Sequence, residues 1–205
     1  MHNRNRDWRT VPLPQRMQTL EKDVRGLPIP FLVMRDNEGT AHFTINDHEK
    51  HALCLREDRC AICSQKLLRG RWFVGGPLSA FHEHGCYIDT PLHQECMEYA
   101  LQVCPYLAAP KYTGRLDDLK VDYSKIPAHV LLVDPTMIPE RPPLFVAVMA
   151  AGQKVWRNGL QTYVKPVRRP GNKPYLAQQF WLHGERLPDA IGIMMTNEAL
   201  SSQTA

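Results

Sequence analysis

Cys60-Ala61-Ile62-Cys63 and, after an interval of 29 residues, His93-Gln94-Glu95-Cys96 are the stretches that decide the fold of this 205-residue chain. Two pairs of Cys or His ligands at this spacing are typical of a tetrahedral zinc site. The sequence therefore predicts a zinc ion held by Cys60, Cys63, His93 and Cys96. Because four protein ligands close the coordination sphere, such a site stabilises a fold and supplies no reaction of its own.

The residues around these motifs predict the local fold. Residues 60–67 are typical of a zinc knuckle, and residues 71–74 favour a strand that ends at a Gly-Gly-Pro stretch. Thr90 as N-cap and Pro91 as first helical residue predict a helix that ends at Cys104, with His93 and Cys96 in its first turn. Knuckle, hairpin and ligand-bearing helix are the order of a treble-clef zinc finger.

The chain before the knuckle has its own signals. Residues 12–30 form a Pro-rich arm with about one helical turn, which we expect to pack on the surface. Residues 31–35 and 41–45 flank a polar, Gly-containing loop and predict a hairpin. Asn46 or Asp47 then caps a predicted helix over residues 48–57.

Beyond Pro110 the pattern becomes β-like. Residues 130–133 and 144–149 are apolar runs of strand length, and residues 154–157 and 160–164 flank Asn158-Gly159, a strong hairpin signal. A third strand over 179–183 is expected to complete this small antiparallel sheet. A turn at 184–186 and a closing helix over 188–200 follow.

These elements predict an α+β fold, a treble-clef-like zinc module joined to a small antiparallel sheet with a closing helix. The predicted organisation is an N-terminal arm (1–25), a zinc-binding module (26–110), a β region with its C-terminal helix (111–200) and a disordered tail (201–205).

Composition narrows the class of protein. Hydrophobic residues make up 43% of the chain and charged residues 22%, which is typical of a globular domain. No stretch approaches the roughly 18 apolar residues of a membrane span, and the opening residues lack an apolar signal core. We therefore expect a cytoplasmic protein in which the six cysteines stay reduced and serve as metal ligands or core residues.

Several segments resemble a family of uncharacterised bacterial and phage proteins. The resemblance covers about residues 12–110. It is carried by the arm that ends in Arg25-Gly26-Leu27-Pro28-Ile29-Pro30-Phe31, by the knuckle, by Phe73-Val74-Gly75-Gly76-Pro77, and by the segment from Pro91 to Cys104-Pro105-Tyr106-Leu107. The family has no assigned activity, so the resemblance implies a zinc site and a phage or prophage origin. Many relatives have Gly after the second knuckle cysteine, where this chain has Ser64.

A loop rich in histidine suggests one catalytic alternative. His82, Glu83, His84 and Asp89 are candidates for a second metal in a nuclease of the HNH type, which also uses a treble-clef scaffold. Such a nuclease needs a further ligand on the helix, where His93 is already assigned to zinc. The same loop contains Cys86, which is an alternative to His93 as the fourth zinc ligand.

Basic and aromatic residues are interleaved around the second hairpin, a pattern suited to phosphate contacts and base stacking but also to an ordinary solvated strand. The basic candidates are Lys154, Arg157, Lys165, Arg168, Arg169 and Lys173, and the aromatic ones are Trp156, Tyr163 and Tyr175. The leading hypothesis is a non-enzymatic, zinc-stabilised protein that binds a host protein or nucleic acid. The alternatives are an HNH-like nuclease and a protein that self-associates through its β region.

Overall fold

The computed structural model describes residues 8–68, 70–108, 142–158 and 161–202. The predicted strand over 130–133 lies outside these ranges. The fold is α+β, with three antiparallel sheets and five α-helices among the described residues. The strands are β1 (Val33–Arg35), β2 (Ala41–Asn46), β3 (Arg71–Gly75), β4 (Phe145–Ala150), β5 (Gln153–Asn158), β6 (Gln161–Pro166), β7 (Ala177–Leu182) and β8 (Glu185–Leu187). The helices are α1 (His48–Arg56), α2 (Pro77–Phe81), α3 (Gln94–Val103), α4 (Pro105–Ala108) and α5 (Asp189–Ser201).

The first hairpin and helix follow the local signals closely. Strands β1 and β2 pair in antiparallel fashion, with Arg35 opposite Ala41. Asp47 caps α1, because its carboxylate accepts hydrogen bonds from the main-chain N–H groups of Glu49 and Lys50.

The N-terminal arm enters the core, whereas the sequence predicted a surface position. Val11, Met17 and Leu27 are buried in one hydrophobic cluster with Cys60 and the other ligand thiols. The apolar residues between the prolines of the arm therefore cover the metal motif.

Helix α3 begins at Gln94, four residues after the predicted N-cap. Leu92 exchanges two main-chain hydrogen bonds with Trp72, which holds this segment in an extended, strand-like conformation. Thr90 is buried and is not the helix cap. Strand pairing thus outweighs the capping signal of Thr90 and Pro91, and His93 becomes the N-cap residue.

A four-stranded sheet forms the centre of the fold, in the order β3-β4-β7-β8. Strand β4 is buried on both faces, which explains its continuous apolar sequence. Phe145 and Ala147 face the cluster that contains Met97 and Leu101 of α3, whereas Val146 faces the opposite cluster. The sheet therefore joins β3, from the predicted zinc module, to β4 and β7, from the predicted β region.

Strands β5 and β6 form a separate two-stranded ribbon. The predicted third strand exists as β7, but it pairs with β4 and β8 and not with this ribbon, which corrects the expected sheet. The turn predicted at 184–186 lies instead at His183-Gly184, where both residues have positive φ (51° and 80°), as a type I′ hairpin turn requires. Asn158 pairs with Gln161 at the end of the ribbon.

Helix α5 closes the fold on the face of the sheet opposite α3. Gly192 and Thr196 are its buried residues, and Gly192 lies directly against Phe180 of β7. The helix extends to Ser201, and residues 203–205 lie outside the described ranges. None of the helices within the described ranges has the length and hydropathy of a membrane span.

Candidate metal centre

Four side chains converge on one point, as the spacing predicts. The Sγ atoms of Cys60, Cys63 and Cys96 and a ring nitrogen of His93 all lie within 4.8 Å of one another. The three cysteines are buried and His93 is half-buried. Three thiols and one imidazole at these separations suit a tetrahedral zinc ion, which prefers sulfur and nitrogen ligands.

The knuckle geometry comes from the main chain of residues 60–65. The N–H of Ser64 donates to the carbonyl of Cys60 (2.9 Å), and the N–H of Cys60 donates to the carbonyl of Gln65 (2.9 Å). Ser64 has φ of +59°, the left-handed conformation that favours glycine.

His93 is oriented by a hydrogen bond on the far side of its ring. Its Nδ1 lies 3.3 Å from Sγ of Cys63, and its Nε2 lies 3.1 Å from the main-chain oxygen of Lys66. Because a carbonyl oxygen only accepts, Nε2 carries a hydrogen, and Nδ1 is the ring nitrogen that faces the thiols. A second partner of this kind fixes the tautomer of a metal-binding histidine.

Cys96 is supplied by the first turn of α3. One side of α3 faces the ligand cluster and contains Cys96, Tyr99 and Val103. Another side of the same helix packs against the sheet and contains Met97 and Leu101. One helix therefore connects the metal ligands to the central sheet, so loss of the ligands is expected to disturb both.

The ligands also influence one another's protonation. Burial opposes ionisation of Cys60, but hydrogen bonds from the other three side chains outweigh it and hold the pKa of Cys60 well below its usual value. Hydrogen bonds to Cys60 and Cys63 raise the pKa of Cys96, and they raise the pKa of His93 to about 10. A bound zinc ion would take the place of these shared protons, since thiolates and neutral imidazole are the ligating forms.

One residue beside the site gives no signal in the sequence. Arg16 of the arm donates from Nε to Glu95 Oε1 and from a terminal nitrogen to Gln65 Oε1, both at 2.6 Å. It therefore links the arm, the knuckle and α3 next to the ligands. Residues distant in sequence come together here, and no local pattern indicates this contact.

The remaining cysteines lie outside the ligand group. The group that meets within 4.8 Å contains His93 and not Cys86, so the alternative ligand is not favoured. Cys54 is fully buried, and burial raises its pKa to about 11, as expected of an inert core thiol. Cys104 is half-buried at the C-terminal end of α3.

The histidine loop closes the C-terminal end of α2. The rings of His82 and His84 are 5.6 Å apart, and the N–H of Gly85 donates to the carbonyl of His82. Gly85 lies so close to the last carbonyls of α2 that a Cβ would lie 2.3 Å from the oxygen of Leu78. Asp89 accepts a hydrogen bond from Asn46. Among the described residues, these side chains do not form a metal-binding group of three.

The six basic candidates separate into two kinds. Arg168 donates to the carbonyls of Ala80 and His82, Arg169 to that of Tyr175, and Lys165 to that of Glu83. These three therefore contact the main chain. Lys154, Arg157 and Lys173 are exposed.

The three aromatic candidates also differ. The rings of Trp156 and Tyr163 stack with centroids 5.6 Å apart, and Trp156 is exposed. Tyr175 is buried, and its hydroxyl donates a hydrogen bond to Ala80. Tyr175 is therefore a core residue and is not available for stacking.

Comparisons with protein-family models, with curated proteins and with solved structures found no match to this chain. The fold and the site together define the class of this protein: an α+β protein with a candidate Cys3His metal centre.

Proposed function

We propose that this chain is a zinc-stabilised, non-enzymatic binding protein, in which a structural zinc ion organises the N-terminal half. The observation that carries the proposal is the convergence of three buried thiols and the oriented imidazole within 4.8 Å. Four protein ligands leave no open position for a substrate or a reactive water, which is the arrangement of a structural site.

The proposal includes a treble-clef-like arrangement of the zinc module. Three features support it: the knuckle at residues 60–65, the pairing of Trp72 with Leu92, and the position of Cys96 in the first turn of α3. His93 precedes the helix as its N-cap. The ligands would then come from a knuckle and from the start of a helix that follows a short strand pair.

Compartment and origin belong to the same proposal. None of the six cysteines, all of which lie in the described ranges, forms a disulfide, and three of them meet in one site, which suits a reducing compartment such as the cytoplasm. A phage or prophage origin rests on the resemblance in sequence alone.

The HNH-like nuclease alternative receives no specific support from the geometry. It requires a second group of metal ligands, and within the described ranges His82, Glu83, His84 and Asp89 do not form one. The hydrogen bonds of this loop close α2 and join it to Arg168.

Metal content and DNA cleavage, measured on the same purified full-length protein, test the proposed function. We expect one zinc per chain by elemental analysis, and no cleavage of plasmid DNA with added magnesium or manganese. Cleavage that is lost in His84→Ala but retained in Arg186→Ala, a control on β8, would contradict the proposal. Absence of zinc from freshly purified protein would contradict it as well.

A further inference from the structure

The net positive charge of this chain lies in its last third. Residues 142–202 contain seven Lys or Arg and three Asp or Glu, whereas residues 1–141 contain 18 of each sign. No acidic residue occurs from residue 141 to residue 184, the stretch that contains β4 to β7. The surplus of +4 is therefore not spread over the molecule but belongs to one stretch of chain.

Salt bridges are also distributed unevenly between the N-terminal half and the ribbon region. In the N-terminal half, Arg16, Arg35 and Arg71 each form a salt bridge with a carboxylate, at 2.6–2.9 Å. Within the described ranges, none of Lys154, Arg157, Lys165, Arg168, Arg169 and Lys173 does so. Lys165 donates to the main-chain oxygen of Glu83, a neutral acceptor. The ribbon region thus offers cations to an external anion.

The ribbon places two of these cations beside an aromatic stack. Lys154 pairs with Lys165 and, two residues on, Trp156 pairs with Tyr163, so all four side chains share one face. On the other face, Val164 is fully buried in the core, whereas Val155 opposite it is exposed, so the core contacts that other face on the β6 side. Like charges directly opposite each other destabilise a ribbon. An anion bound between Lys154 and Lys165 would remove that repulsion.

We infer that this face of the β5–β6 ribbon binds single-stranded nucleic acid, with Lys154 and Lys165 contacting phosphates and the exposed ring of Trp156 stacking on a base. The inference rests on the proposed binding function and names its partner. Single-stranded nucleic acid supplies phosphates for the lysines and unpaired bases for the exposed tryptophan ring. In a duplex the faces of the bases are stacked on one another, and an acidic peptide has no bases, so neither fits both features of the face. Two further exposed cations extend the positive field: Arg157, which lies on the opposite face of the ribbon next to the Asn158–Gln161 pair, and Lys173.

Fluorescence anisotropy of labelled oligothymidylate and oligouridylate of about 12 nucleotides tests this on the zinc-containing full-length chain. We expect Trp156→Ala to weaken binding by about fivefold to 150-fold, the range for loss of one base stack, and Trp156→Tyr to retain most of the affinity. Lys154→Gln should lower the slope of log Kd against log salt by about 0.7, the value for one phosphate contact. The oligonucleotide that binds more tightly shows whether the preferred partner is DNA or RNA.

Matched controls separate this surface from general effects. Ile191→Ala removes an exposed apolar side chain from α5, and Arg186→Gln removes a charge from β8; both should leave affinity and salt slope unchanged. Equal affinities of Trp156→Ala and Ile191→Ala would overturn the inference. Competition by polyglutamate as effective as by the oligonucleotide, or tighter binding of a duplex, would overturn it too.

The zinc and cleavage measurements on the same samples keep the two proposals distinguishable. Zinc-loaded, non-cleaving protein without oligonucleotide binding would overturn the ribbon inference and leave the proposed zinc-stabilised binding function in place. Binding that disappears in Trp156→Ala while zinc content and melting temperature stay unchanged would support the inference, because a purely structural role of the stack would lower stability.

Discussion

The imidazole of His93 donates its Nε2 hydrogen to the main-chain oxygen of Lys66, 3.1 Å away. This bond presents Nδ1 to the thiol of Cys63 and ties the start of α3 to the end of the knuckle. The ligand-bearing segments are thus connected by a hydrogen bond as well as by their convergence, and the fold positions the imidazole as a zinc ligand requires.

Removal of one ligand should release the metal and unfold the module. A structural zinc site contributes on the order of 10 kcal/mol to folding. We expect Cys96→Ala to lose stoichiometric zinc in elemental analysis and to lose the cooperative thermal transition of the parent protein. Cys86→Ala, a half-buried cysteine outside the group, should keep both. Retention of zinc and of melting temperature by Cys96→Ala would show that the site is not structural.

Ser64 offers a test of the knuckle that leaves the ligands intact. Its φ of +59° is unfavourable for a residue with a Cβ. Replacement by glycine should stabilise the zinc-bound protein by up to about 1 kcal/mol. This is the net gain, because glycine relieves the strain in the folded state but also adds conformational entropy to the unfolded chain. Ser64→Val should destabilise it by about 1–2 kcal/mol, because β-branched side chains fit this conformation poorly. Denaturant titration checks both, and the reverse order of stability would contradict the knuckle geometry.

Arg168 should behave as a structural residue in spite of its charge. It donates to the carbonyls of Ala80 and His82 and to the hydroxyl of Tyr175. Arg168→Met removes these three hydrogen bonds from a charged donor and should cost about 1–3 kcal/mol in the free energy of unfolding. Lys173→Met, which removes the same charge from an exposed loop, should change it by less than about 0.5 kcal/mol. Equal effects of the two substitutions would contradict the assignment.

Gly192 should be required for the contact between α5 and the sheet. A Cβ at this position would lie 2.1 Å from the ring of Phe180, closer than any real contact. Alanine usually stabilises a helix relative to glycine, but here we expect Gly192→Ala to lower stability by about 1–3 kcal/mol through overpacking. Asn197→Ala, at an exposed position of the same helix, is the control and should be neutral or slightly stabilising. A gain in stability for Gly192→Ala would show that α5 packs differently.

Signals that act within a few residues predicted much of the structure. The convergence of the four candidate ligands, the cap at Asp47 and the β1–β2 hairpin follow from spacing and capping, and helix α5 lies within one residue of its expected bounds. Within each ligand pair, at the cap and in the hairpin, the residues that decide the conformation lie close together in the sequence.

Features decided by distant partners were missed. Trp72 holds Leu92 in an extended conformation, so α3 begins later than its capping residues indicate. Strand β7 matches its predicted position, but β4 lies between it and β3, and no local pattern indicates that choice. The apolar residues of the arm are buried because they cover the ligand cysteines, a contact between segments about 50 residues apart.

X-ray absorption at the zinc edge of the purified protein tests the Cys3His centre most directly. A shell of three sulfur atoms at about 2.3 Å and one nitrogen at about 2.0 Å is the predicted result, and His93→Cys should convert it to four sulfur atoms. A shell of four sulfur atoms in the unmodified protein, or one with oxygen in place of sulfur, would contradict ligation by Cys60, Cys63, His93 and Cys96.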